Sequence, residues 1–293
     1  MTWWNRPDFG NRDGIICDGS IRSGKTLSMT VGFFLWSMDR FDGACFGICG
    51  RSIGSLRRNI LIHLSGWLGE TLEIRELRGD NKLIVSAGGK SNTYYLFGGQ
   101  DESSYKHIQG ITLAGALLDE VALMPRSFVE QACARCSAEG SKLWFNCNPE
   151  GPEHWFYKEW ICKAAQKNLL HLHFTMADNP GLSPQIRLRY ERMYTGVFYR
   201  RYILGQWCVA QGLVYRFDKE KHIAKALPPG GRYFISVDYG TMNPFSAGLW
   251  CVYGGKAYRL REFYHSGRES GQLTDEEYYA ALEKLAGDKI VEQ

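Results

Sequence analysis

The chain has 293 residues, of which 44% are hydrophobic and 14% aromatic, so it can bury one large core or two smaller ones and is not a disordered protein. Its 35 Lys and Arg against 31 Asp and Glu leave a formal charge of +4, which is too small to indicate nucleic-acid binding by itself. The nine cysteines are scattered and odd in number, which excludes a disulfide-stapled scaffold and predicts free thiols in a reducing compartment.

The N-terminus lacks the regions of a signal peptide, and no later segment reaches about 18 uninterrupted apolar residues. We therefore expect a soluble protein of the cytoplasm that does not contact a membrane. From residue 15 to about residue 208, short apolar runs alternate with longer amphipathic stretches, a pattern typical of a mostly parallel sheet covered by helices. The predicted strands are 15–17, 44–49, 115–118, 143–147 and 171–175.

Between the second and third of these strands lie two further β-rich segments, LIVSAG and TYYLFGG. The Gly-containing stretch 88–92 joins them, which predicts an inserted antiparallel hairpin that extends one sheet edge. Further along, Cys133 and Cys136 form a C-x-x-C pair without a second pair at zinc-finger spacing. A buried helix face is the favoured interpretation of that pair, rather than a zinc site.

The C-terminal part of the sequence indicates a change of domain. A polar, helix-rich segment (184–207) is followed by strong turn signals at 228–231. After them, YFISVDYG, AGLWCVYGG and KAYRLREFY read as strands, and TDEEYYAALEKLAG reads as a helix with a Thr N-cap. The predicted organisation is an α/β domain over 1–208, a linker over 209–231 and the start of a second α/β domain over 232–293.

The sequence GSIRSGKT, residues 19–26, satisfies the phosphate-binding pattern G-x-x-x-x-G-K-[ST] between an apolar strand and an apolar helix. Its amides would wrap around the β-phosphate of ATP, Lys25 would reach the β and γ oxygens, and the Thr26 hydroxyl would ligate Mg²⁺. Arg22 is interpreted either as a contact to the γ-phosphate or a neighbouring subunit, or as a solvated side chain. The predicted ATP-binding residues are Gly19, Ser20, Ile21, Arg22, Ser23, Gly24, Lys25 and Thr26.

An apolar strand that ends in Asp119 and Glu120 matches a Walker B element. Asp119 would hold Mg²⁺ through water, and Glu120 would polarise the attacking water as general base. A solvated strand end gives the same local pattern, so the prediction depends on the phosphate-binding loop that precedes it.

The segment LWFNCNPEGP places Asn146 and Asn148 at the end of the next predicted strand. Ligands of open α/β sheets bind at the carboxyl ends of strands, so an amide here would sense the γ-phosphate. The alternative interpretation is an Asx turn that only shapes the loop.

Taken together, these motifs resemble the large terminase subunit of tailed bacteriophages, in particular its PBSX-like branch. YLFGG, TMADNPGL, FYRRYILGQWCVAQG and FISVDYGTMNP occur among them in the order of that family. The resemblance implies a P-loop ATPase of the additional-strand, conserved-Glu type, followed by an RNase H-like nuclease. It also implies that Lys25 and Thr26 bind nucleotide and metal, that Glu120 is the hydrolytic base, that Asn148 couples hydrolysis to movement, and that Arg22 acts in hydrolysis.

By the same resemblance, the protein would be a motor that translocates double-stranded viral DNA into the procapsid and cuts concatemeric DNA. A homo-oligomeric ring would sit on the portal, and a small terminase subunit would recruit it to DNA. Eleven basic residues are possible phosphate contacts for such DNA. They are Arg57, Arg58, Lys106, Arg187, Arg189, Arg192, Arg200, Arg201, Arg259, Arg261 and Arg268.

Asp238 resembles the first acid of the family's nuclease site, which would bind Mg²⁺ or Mn²⁺; a capping residue in a Gly turn is the alternative. Two-metal cleavage needs several carboxylates that hold cations about 3.5–4 Å apart. Glu262 is a weak candidate for a second acid because its spacing is short, so we expect cutting to be lost in this chain. The competing function hypotheses are a helicase-like or recombination ATPase, and an inactive prophage remnant that only binds partners.

Overall fold

The computed structural model describes residues 2–209, 222–240, 244–267 and 271–292. It divides into two compact units, Met1–Gly212 and Leu213–Gln293. Most of the predicted linker, from 210 to 221, and the basic residue Arg268 lie outside the described residues. In the described ranges, no helix has the length and apolar character that crossing a membrane requires.

The first unit is built on an eight-stranded sheet. Its strands are β1 (Gly14–Gly19), β2 (Cys45–Gly50), β3 (Glu73–Leu77), β4 (Lys82–Ala87), β5 (Lys90–Gly98), β6 (Gly115–Asp119), β7 (Lys142–Asn146) and β8 (Leu169–Phe174). Their order in the sheet is β3-β4-β5-β2-β6-β7-β1-β8. Each pair of neighbouring strands along the part β5-β2-β6-β7-β1-β8 is parallel. The mixed α/β fold with a mostly parallel sheet is therefore confirmed.

The inserted hairpin is β4 and β5, joined at Gly88 and Gly89 and paired antiparallel. β5 also pairs in parallel with β2, so the hairpin extends the sheet beyond β2. It does not end the sheet, because β3 pairs with β4 on the outside. The sequence prediction missed β3: its segment EIREL is largely charged and half-exposed, which is common on an edge strand and weak as a sequence signal.

Helices connect the strands of this sheet, and further helices follow its last strand, β8. They are α1 (Lys25–Arg40), α2 (Ile53–Leu56), α3 (Ile62–Leu68), α4 (Arg126–Arg135), α5 (Pro184–Met193) and α6 (Gly196–Phe198). π-helical turns at Arg57–Leu61, Tyr157–Ile161 and Tyr199–Ile203 were not predicted, since a π turn has no distinctive sequence pattern. Cys133 lies on α4 and packs with Cys136 against the apolar cluster on one face of the sheet, as the buried-helix-face interpretation expects.

An aromatic cluster fixes α1 against the sheet. Trp144 of β7 is fully buried and its ring lies 5.3–5.9 Å from those of Trp3, Trp4, Phe33 and Trp36. Such rings bury large apolar areas and prefer tilted or edge-to-face contact. Because α1 starts directly at Lys25, this packing also sets the position of the phosphate-binding loop.

Within its described residues, the second unit is a three-stranded antiparallel sheet with one helix against it. Its strands are β9 (Arg232–Asp238), β10 (Phe245–Tyr253) and β11 (Lys256–His265), in the order β11-β10-β9. The helix α7 (Asp275–Ala286) begins with a capping box formed by Thr274 and Glu277. Phe245, Leu249 and Tyr278 are central to its small core.

Replacing Trp144 by Ala should lower the free energy of unfolding of the first unit by about 3–5 kcal/mol, because it leaves a large cavity between β7 and α1. Urea denaturation followed by far-ultraviolet circular dichroism measures this. Ile62→Ala, at a side chain 74% exposed, is the control and should cost less than about 0.5 kcal/mol. Equal effects of the two substitutions would contradict the assigned core.

Candidate active site

The phosphate-binding loop runs from the end of β1 to the first turn of α1. Gly19 has φ 134°, and a Cβ there would lie 1.9 Å from the carbonyl oxygen of Phe174, so no other residue fits. The Ser20 amide donates to that same carbonyl at 2.8 Å. The loop therefore starts from a point that β8 holds in place.

Lys25 is buried beneath the loop. Its ammonium donates to the carbonyl oxygens of Ser20 (2.7 Å) and Gly19 (3.2 Å), to Ser23 Oγ (3.2 Å) and to Asn148 Oδ1 (3.1 Å). Burial lowers the pKa of Lys25 to about 8. A buried cation with a lowered pKa gains from an anion placed beside it, as a phosphate would be.

One hydrogen-bonded group lies at the ends of β6 and β7. It consists of Asp119 and Asn146, the last residues of these strands, and Thr26 from the first turn of α1. Asn146 Nδ2 donates to Asp119 Oδ1 at 2.6 Å and to Thr26 Oγ1 at 3.0 Å, and Thr26 Oγ1 donates to Asp119 Oδ1 at 3.4 Å. Burial, and then the nearby Glu120, raise the pKa of Asp119 to about 6. Within the described residues, Asn146 Oδ1 is buried without a hydrogen-bond partner, so the group has an unused oxygen ligand.

Glu120 takes a backbone conformation that is unfavourable for its side-chain type, with φ 59° and ψ 42°. Non-glycine residues held in such a conformation by the surrounding structure cluster at active sites and ligand-binding sites. Glu120 lines a cavity of about 140 Å³ together with Ile21, Arg22, Lys25, Thr26, Asn146, Cys147 and Asn148. It also lines a neighbouring polar cavity of about 650 Å³ that includes Arg51, Arg58 and Asp101.

The structure thus brings together the predicted residues of the loop, the acidic pair and the third motif. Arg22 is exposed and has φ 56°. Its carbonyl accepts a 2.7 Å hydrogen bond from Asn179 Nδ2, a contact that sequence reasoning missed. The signal was present, because Asn179 belongs to the TMADNPGL motif, but its partner is 157 positions away.

Asp18 is a second missed residue. It is 1% exposed and accepts hydrogen bonds from His171 (2.8 Å), His173 (3.1 Å) and Trp207 (2.7 Å). Burial alone would raise the pKa of Asp18, but these hydrogen bonds outweigh it and the pKa lies below its ordinary value. The carboxylate is therefore charged beneath the loop.

Several basic residues with a predicted DNA role have internal partners. Arg57 forms a 2.9 Å ion pair with Glu76, and Arg201 bonds Glu150 at 3.3 Å with its side chain 14% exposed. Both are poorly placed to contact DNA, because their guanidinium groups are already engaged.

In the second unit, Asp238 is exposed at the end of β9. Glu262 on β11 pairs with Arg259 at 3.1 Å. Across the described residues, no three His, Cys, Asp or Glu side chains converge as metal ligands would. The predicted metal role of Asp238 stays a prediction.

A phosphate-binding loop after β1, an acidic pair after β6, and β7 inserted between these strands define a P-loop ATPase of the additional-strand type. Residues 16–222 match the family model of the terminase large subunit, T4likevirus-type, N-terminal domain. The chain belongs to the phage large terminase subunits, the ATPases that drive viral DNA packaging. The PBSX-like branch stays a prediction.

Solved structures agree with this assignment. The large terminase of a thermophilic bacteriophage is 52% identical, with a TM-score of 0.70 over 98% of this chain and 72% of that chain. The same protein in complex with ADP is 50% identical, with a TM-score of 0.70 over 99% and 73%. The ATPase domain of the Thermus phage P74-26 large terminase, 15% identical with a TM-score of 0.52 over 67% and 89%, shares the fold. No curated protein sequence matches the chain.

The raised pKa of Asp119 makes a prediction about stability. An unfolded aspartate has its ordinary pKa of 3.8 and the folded one has about 6, so ionisation costs stability as pH rises through this window and the full cost is present above it. Asp119→Asn should therefore stabilise the nucleotide-free protein at pH 7.5 by about 1–3 kcal/mol. The gain should shrink at pH 4.5, which urea denaturation at both pH values measures. A gain that does not depend on pH would refute this explanation.

Proposed function

We propose that this chain hydrolyses ATP at the loop of residues 19–26, with Glu120 as the general base. The supporting observation is that Lys25 Nζ lies 3.1 Å from Asn148 Oδ1, and that Lys25, Asn148, Glu120 and Thr26 line one cavity. Thr26 Oγ1 in turn donates to Asp119. The β and γ oxygens of a triphosphate there would accept hydrogen bonds from the loop amides and from Lys25. Glu120 would take the proton of the attacking water. Asn148, which is bonded to Lys25, would sense through that residue whether a γ-phosphate is bound.

Arg22 has a separate place in the proposal. It lines the same cavity as Lys25 and Glu120, and its carbonyl is held by Asn179. Its guanidinium would contact the γ-phosphate, where charge develops during hydrolysis.

The oxygen-rich group around Thr26 fits Mg²⁺, which prefers oxygen ligands. Thr26 Oγ1 would be a direct ligand and Asp119 would act through water, with the unpartnered Oδ1 of Asn146 as a further acceptor for that shell. Bound Mg²⁺ would neutralise charge on the phosphate oxygens. The large terminase of the thermophilic bacteriophage has structures in complex with ADP and with ATP-γ-S, which supports nucleotide binding by this chain.

The partners we propose follow from family membership. Double-stranded DNA would be the translocated substrate, gripped through its backbone without reading of bases. A small terminase subunit would deliver the DNA, and a ring of identical subunits would work on the portal of the procapsid. This activity belongs in the cytoplasm of the bacterial host.

We further propose that residues 1–208 form the motor domain, 209–231 a linker, and 232–293 the first part of an RNase H-like nuclease domain. Asp238 would be one ligand of a divalent metal there, Mg²⁺ or Mn²⁺. The support is its position at the carboxyl end of the β9 segment FISVD.

Glu120→Gln should lower kcat for ATP hydrolysis at least about 100-fold, because the amide cannot accept the proton. The dissociation constant for ADP should change less than about twofold, as the loop is untouched. Phosphate release in the presence of duplex DNA and calorimetric titration with ADP measure the two. Glu130→Gln, at a half-exposed pair with Arg126, is the matched control. Equal turnover in wild type and Glu120→Gln would refute the assignment.

The polypeptide of 293 residues should leave supercoiled plasmid intact in Mg²⁺ or Mn²⁺, because two-metal cleavage needs several carboxylates and no such group of ligands converges among the described residues. Gel electrophoresis after prolonged incubation is the measurement. If the wild type linearises the plasmid and Asp238→Asn does not, the second unit contains a working nuclease and this prediction is wrong.

A further inference from the structure

The stretch that precedes the predicted linker is attached to the nucleotide site at several points. We name residues 199–208 the clasp. It contains the π-helical turn Tyr199–Ile203 and the segment that follows it. None of its residues belongs to the phosphate-binding loop, the acidic pair or the Asn148 motif.

The clasp contacts the phosphate-binding loop through its backbone. The Ile21 amide donates to the carbonyl oxygen of Tyr202 at 3.0 Å. Gly205, with φ 66°, lies so close that a Cβ there would be 2.6 Å from the Ser20 nitrogen and 2.8 Å from Gly19 Cα. The clasp therefore supports the loop that would bind phosphate.

A second set of contacts joins the clasp to the buried carboxylate under the loop. Trp207 Nε1 donates to Asp18 Oδ2 at 2.7 Å. His173 bridges the two elements, with Nδ1 3.1 Å from Asp18 Oδ1 and Nε2 3.4 Å from the Leu204 carbonyl oxygen. Asp18 directly precedes Gly19, so Trp207 is bonded to the residue next to the start of the loop.

A third set joins the clasp to the turn that follows Asn148. Arg201 bonds Glu150 at 3.3 Å. Its two hydrogen bonds to the Cys208 carbonyl oxygen, at 3.0 and 3.1 Å, lie within the clasp and hold the guanidinium in place. The Trp207 ring stacks on Tyr157 with centroids 5.0 Å apart. The clasp thus contacts both the phosphate-binding loop, which contains Lys25, and the segment that follows Asn148, whose side chain bonds Lys25.

From these contacts we propose that Trp207 is a positioning residue for ATP binding: its hydrogen bond to Asp18 and its stacking on Tyr157 hold the loop of residues 19–26 in its phosphate-binding shape. The inference rests on the proposed nucleotide site. The loop amides bind phosphate in the ground state and in the transition state alike, so loss of their support weakens binding without slowing the chemical step. By reciprocity, bound nucleotide must stabilise the clasp as much as the clasp stabilises nucleotide binding.

The test uses Trp207→Phe, which removes the N–H donor and keeps a ring on Tyr157. The dissociation constant for ADP and KM for ATP should each rise about tenfold, the scale of a hydrogen bond to a charged group, with kcat within about twofold of wild type. Trp67→Phe is the matched control. It removes an indole that stacks on His63 within α3, and it should leave both constants unchanged. A merely structural role for Trp207 would lower the melting temperature and leave KM unaltered, which would overturn the proposal.

Hydrogen–deuterium exchange on the wild-type protein supplies an independent readout. Saturating ADP should slow exchange in peptides that cover the clasp, and unchanged exchange there would also overturn the proposal. Lys25→Ala separates the two levels of inference. If Lys25→Ala binds ADP normally, the proposed site is wrong; if it does not and Trp207→Phe does, only the role of Trp207 is wrong.

Discussion

The parallel register of β6, β7 and β1 is the constraint on which the rest of the site depends. It sets Asn146 beside Asp119 on one flank and beside Cys17 on the other. β6 and β7 end at this level, and β1 continues to Gly19. The loop after β1, the acidic pair after β6 and the Asn148 turn after β7 then open into one cavity. A shift of one residue in any of these strands would turn its side chains to the opposite face.

The same convergence gives the site its electrostatic character. Burial works against charge on both Lys25 and Asp119, and their pKa values move in opposite directions to about 8 and about 6. Asp18 differs, because three donors stabilise its charge. A nucleotide and a cation would give Lys25 and Asp119 the partners that Asp18 already has. The site is thus less stable without its substrate than its packing alone would allow.

How much of this could be predicted from the sequence depends on the range of each interaction. The loop around Lys25 and the pair Asp119–Glu120 are local patterns with known flanks, and the apolar strands behind them are strongly patterned. The edge strand β3 and the π turns have weak local signals. Asp18 and Asn179 depend on partners more than 150 positions away, so only the folded chain shows that they support the loop.

The central claim is that a triphosphate lies between Lys25 and Glu120. A crystal structure with Mg²⁺ and ATP-γ-S tests it most directly. The account predicts that the loop amides surround the β-phosphate, that Lys25 Nζ contacts the γ-thiophosphate, and that the Glu120 carboxylate faces that group across one water. A nucleotide bound elsewhere, or bound at the loop with Glu120 directed away from its terminal phosphate, would contradict the account.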